Sequence, residues 1–219
     1  MTTTPVFERH DDVLWWMANP DESLARSSLV LDTASGQIAI DPVDCDGLDE
    51  EIESIGGLDG VAVLMDRHSR DAKVIADRHE VPLLVPEGAD RIEAAVNHPV
   101  EPLDAMLAES EYQPRWVVSN RFWEEVCLWC PPRSTLVIPE SLGTAATFTV
   151  INERIGVHPL MRIKPPRGAL AGIRPERLFV GHGRPLYDVK PDEIDTTLTL
   201  ARRRLPRAWV GGIVALIKG

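Results

Sequence analysis

The stretch Val61-Ala62-Val63-Leu64-Met65-Asp66-Arg67-His68-Ser69-Arg70-Asp71-Ala72 sets an unbroken apolar run against a cluster of charged residues and one imidazole. Two later segments repeat the pattern. Thr135-Leu136-Val137-Ile138-Pro139 ends in Glu140, and Leu178-Phe179-Val180 ends in Gly181-His182-Gly183. Short β-branched apolar runs bounded by turn residues read as buried strands. Layered α/β folds collect their sites on the loops that leave strand ends. Three strands therefore deliver Asp, His and Glu to loop mouths, a donor set suited to a divalent cation.

Working outward, Val13 to Met17 reads as a strand, and Ser28–Leu31 with Gln37–Ile40 as a hairpin across Ala34-Ser35-Gly36. Leu48 to Ile55 is a short acidic helix closed by Gly56-Gly57. Asp71 to His79 is a helix with Val74 and Ile75 on its apolar side, and Val81 to Val85 returns as a strand. This alternation implies parallel pairing with helices over one face. Trp116–Val118, Val126–Cys130 and Thr135–Ile138 are close-spaced strands, the last two joined by Pro131-Pro132-Arg133. Pro175 to Gly183 repeats a helix-then-strand pattern. Asp192 to Leu205 is a helix started by Pro191 and ended or kinked at Pro206. Pattern alone yields an α/β fold with mixed sheets. The whole chain, 1–219, reads as one domain, with 192–219 a helical segment packed on it.

The order and spacing of these elements resemble the metallo-β-lactamase-fold superfamily. That family places a His-x-His-x-Asp-His loop after a strand, then a lone His, an Asp after another strand, and a final His often set in Gly-His-Gly. Laid on this chain, the loop puts Asp66, His68, Arg70 and Asp71 at the four motif positions, and His68 alone keeps its residue type. Glu140 stands where the bridging Asp would follow its strand, and His182 matches the last ligand. The resemblance runs from about Val13 to Pro185 and implies a four-layer αββα sandwich of two mixed sheets with outer helices. It also implies a metal-dependent hydrolase whose motif is degraded.

Composition narrows the partners. The chain has 219 residues, 44% hydrophobic and 26% charged, with a net charge of -11. A nucleic-acid backbone is excluded as partner, because phosphate binding needs clustered Lys and Arg. Three Cys and the absence of a secretory segment fit a reducing cytoplasm. Cys127 and Cys130 fall on opposite faces of one strand and read as small buried hydrophobes. The apolar stretch from Ala208 to Ile217 is about half of the ~20 residues a bilayer span requires. It reads as a docking helix, and the preceding Arg202-Arg203-Arg204 leave a peripheral membrane contact open. Leu198, Leu205, Trp209, Ile213 and Leu216 recur at helical spacing and should face apolar surface, in part that of a second subunit.

Two readings of the site follow. In the first, His68, Asp71, Glu140 and His182 bind one Zn²⁺, Mn²⁺ or Fe²⁺, and Asp66 is a further ligand or orients the attacking water. The substrate would be a small ester, thioester or phosphoester. No His occurs between His98 and His158, where the family's middle ligand belongs, so a two-metal site is not expected. In the second reading, Arg67 and Arg70 replace the metal. Arg cannot ligate a cation, but it can pair bidentately with Asp66, Asp71 or Glu140. The protein would then be a metal-free binding or scaffold protein. The sequence favours this metal-free network over tight metal binding. Trp123, beside Arg121, is a candidate for a pocket mouth.

Overall fold

Trp15 and Trp16 are both fully buried, yet they face opposite ways. Trp15 joins a core cluster with Leu31, Leu64, Leu128 and Phe179, whereas Trp16 joins one with Val30, Val61, Ile52 and Ile75. Successive side chains of a strand point to opposite faces, so the strand carrying both tryptophans must be covered on both sides. The computed structural model describes residues 4–150 and 152–218, the side chains of 206–218 excepted. It shows what provides that cover.

Seven strands form the first sheet in sequence order: β1 (Val6–His10), β2 (Val13–Met17), β3 (Ser28–Thr33), β4 (Gly36–Ile40), β5 (Gly60–Ala62), β6 (Leu83–Val85) and β7 (Glu101–Pro102). The first four pair antiparallel, and β4 to β7 pair parallel. The parallel crossovers are α1 (Leu48–Ser54), α2 (Ala72–His79) and α3 (Asp90–Val96), whose apolar residues pack under Trp16 and Val61. Gly57 N–H donates to Ile52 O at 3.0 Å and closes α1 as expected. In α2 the buried face is Ala72, Ile75 and Ala76. Val74 is exposed, because it lies one residue off that stripe.

After the short α4 (Leu103–Met106), the second sheet runs in the order β13 (Arg177–Val180), β10 (Thr135–Ile138), β9 (Trp123–Cys130) and β8 (Gln113–Asn120). Its inner face (Leu128, Cys130, Val137, Phe179) meets the first sheet, and its outer face (Cys127, Leu136, Leu178) meets Ile194, Leu198 and Ala201 of α5 (Glu193–Lys218). The layering is therefore helices, sheet, sheet, helix. Cys127 and Cys130 do lie on opposite faces, and all three cysteines are free. A minor pair, β11 (Leu142–Gly143) and β12 (Gly156–Val157), lies at the edge.

Two sequence expectations change. No α-helix leads directly into β13. Arg162–Pro175 is turns, bends and coil after a 3₁₀ turn at Pro159–Met161, because Pro165, Pro166, Gly168 and Gly172 interrupt helical pairing. Helix α5 does not end at Pro206 but continues to Lys218. A proline removes one amide donor from a helix, and the Ala-, Leu- and Arg-rich flanks carry enough propensity to absorb that loss. Leu198 is buried as the periodicity requires, while Trp209, Ile213 and Leu216 lie outside the described side chains.

The chain beyond β5 ties the two sheets together. Val126 N–H donates to Leu64 O at 2.9 Å, and Asp66 N–H donates to Glu124 O at 3.1 Å. The charged loop that follows is thereby held at the end of both sheets, beside the ends of β10 and β13.

Candidate metal centre

His68 sits in the turn after this link. Its Nδ1 lies 2.9 Å from Oδ2 of Asp41, the residue just after β4, and Asp41 Oδ1 accepts the Leu64 N–H at 2.8 Å. His182 leaves β13 between two glycines, and its Nδ1 lies 2.9 Å from Leu24 O. Both glycines are required by close approach. A Cβ at position 181 would stand 2.9 Å from His68 Cε1 and 2.3 Å from Pro139 O, and Gly183 has a φ of +105° against Thr144. Glu140 leaves β10, and its backbone N–H donates to Glu125 Oε1 at 2.9 Å.

These placements converge three ligand atoms. His68 Nε2 lies 2.7 Å and His182 Nε2 3.1 Å from Glu140 Oε2, and the two nitrogens are 3.3 Å apart. A carboxylate and a carbonyl can only accept, so both Nδ1 atoms carry protons when the rings are neutral. The Nε2 lone pairs then face each other and the Glu140 oxygen. Three electron-rich atoms in contact require a cation or a proton between them. A tetrahedral site with bonds of about 2.0–2.1 Å sets its ligand atoms about 3.3 Å apart. The edge between the two nitrogens matches that spacing, while the 2.7 and 3.1 Å edges to Glu140 are hydrogen-bond distances that would open slightly around an ion. The outer partners Asp41 and Leu24 O are the kind that orient metal-binding imidazoles. Among the described residues, His68, Glu140 and His182 are the group whose ligand atoms all lie within 4.8 Å.

Arg70 stands against the ion. Its Nη1 donates to Ser27 O at 2.7 Å and Asp41 O at 2.8 Å. Its Nη2 donates to Gly181 O at 3.1 Å and lies 3.4 Å from His68 Nε2. The expected bidentate pairing with a carboxylate is not seen among the described residues. A left-handed φ of 37° at Arg70 carries the guanidinium across the strand ends, where carbonyls meet it first. Such a backbone costs about 1–2 kcal/mol for an L-residue and persists where surrounding contacts compel it.

Of the other sequence candidates, Asp66 belongs to a separate network. Arg91 of α3 grips its Oδ2 through Nε and Nη2, both at 2.8 Å. Asp71 precedes α2 and accepts the Asp44 N–H at 2.9 Å through Oδ2. Neither is in the three-residue group. Arg67 lies 3.6 Å from Asp66 Oδ1, donates to Phe122 O at 3.0 Å and stacks 3.9 Å over Trp123. Trp123 itself is buried and donates to Glu125 Oε2 at 2.9 Å.

The sequence reading missed His158, Asp41 and Glu125. His158 Nδ1 accepts the Leu160 N–H at 3.3 Å, which leaves the proton on Nε2, and this nitrogen lies 3.2 Å from Glu140 Oε1. His158 thus fixes the outer oxygen of Glu140 while the inner one faces the triangle. The only local signal was a His before Pro159, typical of a turn. Phe148 stacks on His182 at 5.2 Å and meets His158 edge-on at 5.4 Å.

The electrostatics follow from burial and these partners. Burial and the Arg70 charge oppose a proton on His68, but Asp41 and Glu140 outweigh them and raise its pKa. Burial pushes Glu140 up, yet His182 and His68 hold it well below the usual carboxylate range. Burial lowers His158 to about 4. Burial raises the Glu125 carboxyl, against four hydrogen bonds that favour its charge.

No protein-family model matches the sequence, and no curated protein matches it. Solved structures do match. The metallo-β-lactamase DIM-1 exposed to ceftazidime superposes with a TM-score of 0.61 at 12% identity, over 94% of this chain and 97% of that one. TMB-1 superposes with a TM-score of 0.58 at 12% identity, over 91% and 97%. The metallo-β-lactamase FIM-1 from Pseudomonas aeruginosa, in its mono-zinc form, gives 0.55 at 8% identity, over 92% and 96%. Two mixed sheets between helices, with strand ends converging on His68, Glu140 and His182, make this chain a protein of the metallo-β-lactamase fold.

Proposed function

We propose that this chain is a divergent metal-dependent hydrolase of a small ester, thioester or phosphoester, with one divalent cation held by His68, Glu140 and His182. The observation that carries the reading is the convergence of three lone pairs whose outer nitrogens are already committed to Asp41 and Leu24 O. Two imidazoles and one carboxylate suit Zn²⁺, Mn²⁺ or Fe²⁺. A bound ion supplies a Lewis acid and an acidified water there. The protein's own groups set the rest. Asp41 holds the His68 tautomer, His158 keeps Glu140 turned inward, and Arg70 adds a fixed positive charge beside His68. With Asp66 held by Arg91, no step is assigned to it.

One observation favours a second reading, in which the fold serves as a metal-free binding or scaffold protein. The Arg70 guanidinium stands 3.4 Å from His68 Nε2, where a bound ion would repel it. A single proton on His68 would satisfy Glu140 and His182 and would balance Arg70 and His68 against Asp41 and Glu140. Elemental analysis of protein purified without a metal-binding tag separates the two. About one metal per chain, removed by chelator with loss of melting temperature and of esterase activity, supports the hydrolase. Far less than one, with a melting temperature indifferent to chelator, supports the metal-free protein.

A further inference from the structure

Seven large hydrophobic side chains are exposed among the described residues, and the three most exposed are Leu160 (69%), Phe122 (66%) and Ile163 (58%). A run of contacts joins their two turns. Arg67 holds Phe122 O and stacks on Trp123, Trp123 meets the His158 ring at 4.9 Å, and His158 holds the Leu160 N–H. The same run ends at Glu140, so these side chains stand beside the histidine cluster.

The segment that carries Leu160 and Ile163 is opposite in charge to the chain as a whole. Between Glu140 and Glu176 the one acidic residue is Glu153, in a protein with 34. Glu153 is buried and consumed by Arg162 and Arg204. Lys164 has no ion pair among the described residues, nor has Arg121, whose guanidinium lies 4.2 Å over the Phe122 ring. Arg167 donates to Leu198 O and Thr199 O of α5. Beyond that contact α5 continues through Ala208–Ile217, which holds no charged residue.

We propose that the Leu160–Arg167 segment, together with the Arg121–Phe122 turn, is a docking surface for an anionic lipid bilayer. Apolar side chains that project from turns between basic residues can enter the headgroup boundary while the cations meet lipid phosphates. A two-fold contact between copies would set this basic patch against itself. No helix among the described residues is long and apolar enough to cross the membrane, so the attachment is peripheral. It brings the mouth of the histidine cluster to the lipid surface whether or not a metal binds there.

The test is co-sedimentation of the full chain with phosphatidylcholine vesicles, with and without about 30% phosphatidylglycerol. Binding to the anionic vesicles should be about tenfold stronger, and it should weaken when salt rises from about 0.1 M to about 1 M. The pair Leu160→Ser and Ile163→Ser should reduce it about tenfold with an unchanged melting temperature. If that pair does not fold, Phe122→Ser with Lys164→Glu replaces it. Absent or charge-independent binding overturns the proposal, as does full binding by the folded variant. A fall in solution mass of the variant without any vesicle binding in the parent assigns the patch to a protein contact and also overturns it.

Discussion

The Nε2 atoms of His68 and His182 lie 3.3 Å apart although 114 residues separate them in the chain. They meet because Gly181 has no Cβ to block the His68 ring, and because β13 and the chain beyond β5 end on the same side of the two sheets.

Replacing Gly181 should therefore be costly. In Gly181→Ala the new methyl meets Pro139 O and His68 Cε1. We expect a loss of about 1–3 kcal/mol, as for an overpacked core, and at least about tenfold weaker Zn²⁺ or Mn²⁺ binding, equal to about 1.4 kcal/mol. Denaturant melts and metal titration check both. Unchanged metal affinity would show that the His68 position is not what the glycine protects.

Arg70→Met separates charge from packing. Ser27 O, Asp41 O and Gly181 O lose their charged donor, which should cost about 1–3 kcal/mol in the metal-free protein. Removing a cation beside His68 Nε2 should at the same time raise affinity for a divalent ion. A variant that is destabilised and gains no metal affinity counts against the one-metal site.

The histidines give stability a defined pH dependence. His158 titrates at about 4 when folded, below the ordinary 6.5, so the unfolded chain binds more protons between those values. Stability must rise with pH across that window and be lost as pH falls through it. The contribution is at most about 3–4 kcal/mol, at about 1.36 kcal/mol per unit. His68 acts oppositely in the metal-free protein. Its raised pKa lends stability that is complete below about 6.5 and is lost as pH rises through the folded value. Denaturant melts across pH should therefore show a maximum between the two transitions. His158→Asn should flatten the slope between pH 4 and 6.5; an unaltered slope there would remove His158 from the account.

Ending the chain after Pro206 removes the apolar end of α5 and spares the buried Ile194, Leu198 and Ala201. We expect a lower melting temperature or a changed mass in solution, read by calorimetry and light scattering. A truncated protein with both values unchanged would show that this end supports neither folding nor assembly.

Much of this architecture follows from local pattern. The unbroken apolar runs Val13–Met17 and Val61–Met65 dictate strands buried on both faces, and strand-end position brings out His68, Glu140 and His182 in order. The rest needed the packed molecule. Asp66 looked like a catalytic carboxylate until α3 delivered Arg91 to it. Asp41, one residue past the hairpin, has no signal of its own along the chain, yet His68 folds over it. Arg70 has the charge to pair with carboxylates, but its backbone turn gives it carbonyls instead. His158 sits in a turn with no periodicity, yet it reaches Glu140. The physical reason is the same each time. Periodicity depends on neighbours along the chain, whereas the partner of a charged side chain is whichever opposite group the packed loops bring within about 3 Å, the reach of a hydrogen bond.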